Sequence, residues 1–183
     1  LPRAFWDDLS GSWGKKKLSV DSGLISFNNQ MMEVSLEKKL ELINKIPFFS
    51  RFDEDEKLTM CELAKFQQFN PGDELIVQGM INKHLYFIIN GTVDICISGS
   101  LVTSLGGGGH VFGEMGFVYE GPASASVVAN TKATAMIFDT DRINAMFEPI
   151  YYKLRMEIYR SCAEILAKRL IHTNSLAVGA LHG

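Results

Sequence analysis

The sequence predicts a mainly β domain flanked by α-helices: an antiparallel, jelly-roll-like β-roll with helices before it and one long lid helix after it. Three observations carry this. Apolar residues follow a helical spacing from Ser35 to about Phe66, alternate with period two from there to about Thr140, and return to a helical spacing from Pro149 to about Thr173. Turn residues interrupt the middle part at short intervals, as in a sheet closed on itself. With 183 residues, 46% of them hydrophobic and 21% charged, the chain can bury one core of useful size.

The elements follow in order. Residues 1–34 have no sustained period and read as an arm or linker. Trp6 and Trp13 suit docking more than disorder, and the run Lys15-Lys16-Lys17 reads as a solvated patch. Leu1 in place of Met reads as the start of a fragment or processed product. The domain is expected over residues 35–176, with a frayed tail over 177–183. "SLEKKLELINKI" places Leu36, Leu40, Ile43 and Ile46 on one helical face, with Ser35 as N-cap and Pro47 as the stop. "DEDEKLTMCELAKF" restarts with Asp53 as cap and Glu56 at capping-box spacing, and offers Leu58, Cys61, Leu63, Ala64 and Phe66 as a buried side.

Short β-rich runs come next: "QQFNPGDELIVQG", "HLYFIINGTVDICISG", "LVTSLGGGG", "SASVVANT" and "ATAMIFDT". Asn70-Pro71-Gly72-Asp73 reads as a turn. Asn90-Gly91 predicts a hairpin, because both central residues of a type I′ turn need positive φ. Glycines 106 to 109 read as a flexible connector; without a following Lys-Ser/Thr they do not make a P-loop. Asp139-Thr140-Asp141 caps "RINAMF". The last helix repeats Ile150, Leu154, Ile158, Cys162, Ile165 and Leu166 near a 3.6 spacing, for a length of roughly 36 Å. Its surplus apolar face predicts a lid or a dimer seam.

Composition excludes several functions. A net charge of −3 with dispersed Lys and Arg argues against nucleic acid as a partner. No apolar run approaches the roughly 18 residues of a membrane span. Cys61, Cys96 and Cys162 are far apart and read as small buried apolar residues, which fits a reducing, cytoplasmic compartment. No nucleophile–base pair or carboxylate pair stands out, so no catalytic residue, metal or cofactor is predicted. A metal-binding cupin would share the β-roll outline, but His84 and His110 are isolated.

The order of "PFFSRFDEDE", "FNPGDELIVQG", "LYFIINGTVDI", "GGHVFGEMGFVY" and "GPASASVVA", with helices at both ends, resembles the cyclic nucleotide-binding domain family over roughly residues 36 to 173. The resemblance implies a regulatory module that binds cAMP or cGMP. It also implies a phosphate-binding cassette made of Phe112, Gly113, Glu114, Met115 and Gly116, followed by Ala123, Ser124, Ala125 and Ser126. Gly113 lets backbone approach closely. The N–H groups opening the short helix from Glu114 to Val118 favour an anion. Glu114 aligns with the acid that accepts from the ribose 2′-hydroxyl, a task suited to an acceptor-only carboxylate. It reads equally as an acid stabilising its own helix start.

One position departs. The family pattern after the short helix is Pro-Arg, and its arginine pairs with the cyclic phosphate; here Ala123 follows Pro122. Losing that pair costs about 1.5–3 kcal/mol, tenfold to a hundredfold in affinity. Lys83, His84 and His110 are the nearest basic residues and lie on other segments. Ser124 and Ser126 offer hydroxyls, though they read as turn and strand residues.

Two functions follow. In one, the domain senses a cyclic nucleotide; its last helix swings in to cover the base, with Tyr159, Cys162 and Ile165 as lid contacts or as plain packing residues, and controls an attached or separate effector. In the other, the domain is degenerate, binds no cyclic nucleotide, and acts through protein contacts or as a homodimer through that helix. "AKRLIHTN" also resembles the helix end in bacterial transcription regulators, but no DNA reader follows within the sequence.

Overall fold

The structure is a computed structural model that describes residues 31–106, 108–146 and 150–181. The expectations for Trp6, Trp13, Lys15 to Lys17, Gly107, Phe147 and Pro149 lie outside these residues. The chain runs through β1 (Met31–Met32), α1 (Leu36–Lys45), a 3-10 turn (Pro47–Phe49) and α2 (Glu54–Leu63). Strands β2 (Lys65–Phe69), β3 (Glu74–Ile76), β4 (His84–Asn90), β5 (Thr92–Ile97), β6 (Ser100–Gly106) and β7 (His110–Phe112) follow. Then come α3 (Glu114–Tyr119), β8 (Ser126–Ala129), β9 (Ala133–Asp139), α4 (Thr140–Asn144) and α5 (Ile150–Leu181). The mainly antiparallel sheets with helices at both ends are the expected β-roll.

The helix starts follow their local chemistry. The Ser35 side chain accepts from the Lys38 N–H at 3.4 Å, and Ile46 turns extended ahead of Pro47, whose ring disfavours the helical region for its predecessor. Asp53 and Glu56 form a reciprocal capping box, each bond 2.9 Å. The buried faces are narrower than predicted. Ile43 and Ile46 are buried but Leu36 is exposed, and in α2 Met60, Cys61 and Leu63 are buried while Leu58 faces solvent. The first turn of α1 is exposed at Leu36, whereas the first turn of α2 carries the buried Glu56. The Asp139 side chain caps α4 by accepting from the N–H groups of Asp141 and Arg142.

Two sheets face each other, ordered β1-β2-β9-β4-β7 and β3-β8-β5-β6. The predicted hairpin at Asn90-Gly91 is therefore not one: β4 and β5 pair with different neighbours in different sheets. Gly91 alone takes positive φ (85°), and the chain turns a corner from one sheet to the other. The two-residue hairpin turn lies at Ser98-Gly99, with φ of 50° and 77°, and joins β5 to β6 with Ile97 opposite Ser100. Both central residues there satisfy the positive-φ requirement that Asn90 does not meet.

The core has two layers, one on each face of the strands β4 and β9. Leu85, Phe87, Met136 and Phe138 point toward α1, α2 and α5; Tyr86, Ile88, Ala133, Ala135 and Ile137 point into the roll. Burial on both faces explains why "LYFII" is a continuous apolar run and not an alternating one. Cys61 and Cys162 are buried as expected, whereas Cys96 on β5 is only half-buried; its strand covers the roll from one side.

Helix α5 lies against the outer layer. Leu154, Ile158 and Cys162 are fully buried, and Lys153 pairs with Asp53 at 2.5 Å. Arg51 pairs with Glu164, and the Ser161 hydroxyl donates to the Phe48 carbonyl at 3.4 Å. The helix continues past Thr173, where its apolar spacing stops, to Leu181. No proline interrupts the extension, and Thr173 and Ser175 fold their hydroxyls back onto the Arg169 and Ile171 carbonyls at 2.9 Å. Among the described residues no helix is long and apolar enough to cross a membrane.

Candidate functional site

The cassette forms where β7 ends. Gly113 adopts the left-handed conformation (φ 86°, ψ 0°) and starts the short helix α3. A Cβ there would sit 2.1 Å from the His84 carbonyl oxygen and 2.6 Å from Asn82 Nδ2. The close approach that Gly113 permits is thus to the segment entering β4, which Asn82 braces by donating from Nδ2 to the His84 carbonyl at 2.7 Å. This packing sets the direction in which Glu114 enters the roll.

The predicted residues come together around one cleft of about 110 Å³. Phe112, Gly113, Glu114, Met115 and Gly116 line one side, and Ala123, Ser124 and Ala125 another. Ser126 stands at the start of β8 behind them, where its hydroxyl accepts from the Gln78 N–H at 2.9 Å. The Ser124 hydroxyl faces the Met115 sulfur at 3.3 Å. The Ala123 N–H is committed to the Met80 carbonyl at 2.9 Å, and the Gly79 N–H returns to the Ala123 carbonyl at 2.8 Å. The turn is held by backbone bonds to the Gly79–Met80 segment, and the side chains of Ala123, Ser124 and Ala125 carry no charge.

A cation does enter the cleft, from elsewhere in the chain. Arg169 on α5 reaches Glu114 through Nη1 and donates from Nη2 to the Val111 carbonyl at 2.6 Å. Its guanidinium lies 5.8 Å from the centroid of the Phe112 ring, within cation–π range. Glu114 is 2% exposed, and burial pushes its carboxyl above the ordinary value. The Arg169 charge, its hydrogen bond and the Glu114 N–H all pull the other way, and burial outweighs them. Beside them the ring of Tyr159 stacks on Phe117, centroids 4.5 Å apart. Cys162 and Ile165, the other two lid candidates, pack into the outer core. Helix α5 is therefore already closed over the cassette.

Arg169 was absent from the sequence-based candidates, yet a signal for it exists. Ile158, Cys162 and the partly buried Ile165 make an apolar stripe at helical spacing, and Arg169 is its next member. A guanidinium on an apolar stripe requires a buried partner. Lys83, His84 and His110, the basic residues considered from the sequence, do not line the cleft. Lys83 pairs with Asp141 at 2.6 Å, and His110 is exposed on β7 opposite Ile88. Burial of His84 on β4 lowers its pKa. A wider groove of about 520 Å³ opens on the far side of Arg169, lined by Arg51, His110, Glu164 and Lys168. Among the described residues no group of His, Cys, Asp and Glu is placed to hold a metal ion.

A two-sheet roll with a glycine-initiated cassette, closed by a C-terminal helix, is the architecture of a regulatory ligand-binding domain. Residues 66–149 match the family model of the cyclic nucleotide-binding domain. The chain is 31% identical over 120 residues to the cAMP-dependent protein kinase regulatory subunit of Debaryomyces hansenii, covering 64% of this chain and 26% of that protein. It is 29% identical over 162 residues to the potassium/sodium hyperpolarization-activated cyclic nucleotide-gated channel 2 of Homo sapiens, covering 88% of this chain and 18% of the channel. Among solved structures it resembles the regulatory subunit of a cAMP-independent protein kinase A from Trypanosoma brucei. The TM-score is 0.60 at 24% identity, over 73% of this chain and 45% of that one. The chain thus spans only a small part of the two curated relatives, and both are regulated or regulatory proteins by name.

Proposed function

We propose that this chain senses a cyclic nucleotide, cAMP or cGMP, in the cleft between the cassette and β8, and that α5 transmits occupancy to an attached or separate effector. The observation that carries this reading is Glu114: a carboxylate held inside the cleft and in direct contact with the helix that would move. The names of the channel and kinase relatives support a regulatory and not a catalytic role. The exposed side chains of Met156, Leu170 and Ile171 on α5 suit an effector or a second copy as the receiving surface. Free Cys61, Cys96 and Cys162 fit a reducing, cytoplasmic compartment.

A second reading is favoured by a specific set of observations: Ala123 carries no charge, Arg169 already occupies Glu114, and the cleft is small. In that reading the cleft is closed for good, and the domain works through protein contacts; the solved relative from Trypanosoma brucei belongs to a kinase described as cAMP-independent. Calorimetry with cAMP and cGMP up to millimolar concentration separates the two. We expect wild type to bind weakly, Ala123→Arg to bind roughly ten- to a hundredfold more tightly, and Glu114→Ala to abolish binding. Silence of wild type with binding by Ala123→Arg would establish a pocket that has been switched off.

A further inference from the structure

We infer that Arg169 supplies the counter-charge for the ligand's phosphate that Ala123 does not, so that the anion is recognised by the closing helix instead of by the cassette. This rests on the nucleotide-sensing reading above. In this structure the guanidinium pairs with Glu114.

Charge comes first. Among the residues lining the cleft, Arg169 is the single cation and Glu114 the single anion. An incoming phosphate that met Glu114 alone would face a carboxylate with only 3% of its side chain exposed, in surroundings of low polarity. With Arg169 present the lining is neutral, and a fork of donors is available. Two of the five N–H groups are engaged, one on Glu114 and one on the Val111 carbonyl. A planar guanidinium can hold a carboxylate and a phosphate oxygen on different edges, which a lysine cannot do.

Geometry comes second. Arg169 and the uncharged turn at Ala123 to Ala125 line the same space of about 110 Å³, so the guanidinium shares one cleft with the position an arginine would otherwise fill. That space is below the roughly 300 Å³ at which small-molecule sites begin. A cyclic nucleotide must therefore widen the cleft. Arg169 can follow the phosphate as it does so, because 40% of its side chain is exposed and the wider groove behind it leaves room to turn.

The consequence is a direct coupling. A cassette arginine is fixed to the roll and grips the phosphate wherever the last helix lies. A guanidinium on α5 grips it only when α5 is in place, so phosphate binding and helix position become one equilibrium. A ligand with the same base and ribose but no phosphate would fill the cleft without engaging the helix in this way.

The test is a cycle between ligand and protein on the full chain. Calorimetry compares cAMP with adenosine, and cGMP with guanosine, for wild type, Arg169→Ala and Arg169→Lys. If Arg169 pairs with the phosphate, Arg169→Ala weakens the nucleotide roughly ten- to a hundredfold and leaves the nucleoside unchanged or tighter. Arg169→Lys restores part of the loss for the nucleotide alone. Equal weakening of both ligands would overturn the inference, since it would report a loosened helix. Tighter nucleotide binding by Arg169→Ala would also overturn it, leaving Arg169 as a plug on Glu114. If wild type binds no nucleotide, the sensing reading itself fails and takes the inference with it. A thermal melt of each variant verifies that it is folded, which the half-exposed position of residue 169 favours.

Discussion

The two faces of β4 and β9 are buried against different materials. Toward the helices, Phe48, Phe49, Phe52, Phe87 and Phe138 form a set of interlocked rings, with centroid distances from 4.9 to 6.0 Å. Toward the roll interior, Val93, Ala129, Ala133 and Ala135 are small, and Ile76, Phe112 and Val127 of the same layer line the cleft beside Glu114. The outer layer is built on aromatic rings in mutual contact. The inner layer reaches the cassette at that cleft, where Glu114 and Arg169 form a charged pair. One strand pair thus separates what holds the domain together from what a ligand can change.

Three substitutions test this division. The largest effect is expected from Phe49→Ala, which removes a fully buried ring that touches Phe48, Phe52, Phe87 and Phe138. It should cost about 3–5 kcal/mol in urea unfolding, equally with and without nucleotide. A smaller loss that depended on ligand would erase the separation. Next is Gly113→Ala, which places a Cβ in a left-handed conformation and against the His84 carbonyl. A cost of about 2–3 kcal/mol is expected, together with a change in nucleotide affinity that Phe49→Ala does not produce. Unaltered affinity would mean that the Asn82–His84 segment does not position Glu114.

The smallest effect belongs to Glu114 itself. Burial raises its carboxyl in the folded state above the ordinary value of 4.5. A raised value means that its contribution to stability is fully present below the unfolded pKa and is lost as pH rises through the folded one. Wild type should therefore lose stability on going from pH 4.5 upward relative to Glu114→Gln, whose amide does not titrate. Parallel curves in urea unfolding would show that Arg169 offsets the burial completely.

What was legible in the sequence was local. Ser35, the pair Asp53 and Glu56, and Asp139 act within three residues of themselves, and each does what its type and spacing predict. The turn Asn70 to Asp73 closes through its own bonds, at 2.7 and 3.0 Å. Asn90-Gly91 misled because a hairpin depends on which strands pair, and that is decided by contacts with β7, β8 and β9 far along the chain. The family motifs led to the cassette, but its cation did not lie in any motif. Glu114 and Arg169 are 55 residues apart, and the only trace of their pairing is an arginine on an otherwise apolar stripe.

Helix α5 also has the length of a lever arm. Among the described side chains its last contact with the cassette is at Arg169, and the helix runs on to Leu181 for roughly 18 Å at about 1.5 Å per residue. A tilt of about ten degrees at the dock would carry the tip through about 3 Å over that length. A contact the size of one guanidinium would then be read, at the far end of the arm, as a displacement large enough to make or break an interface.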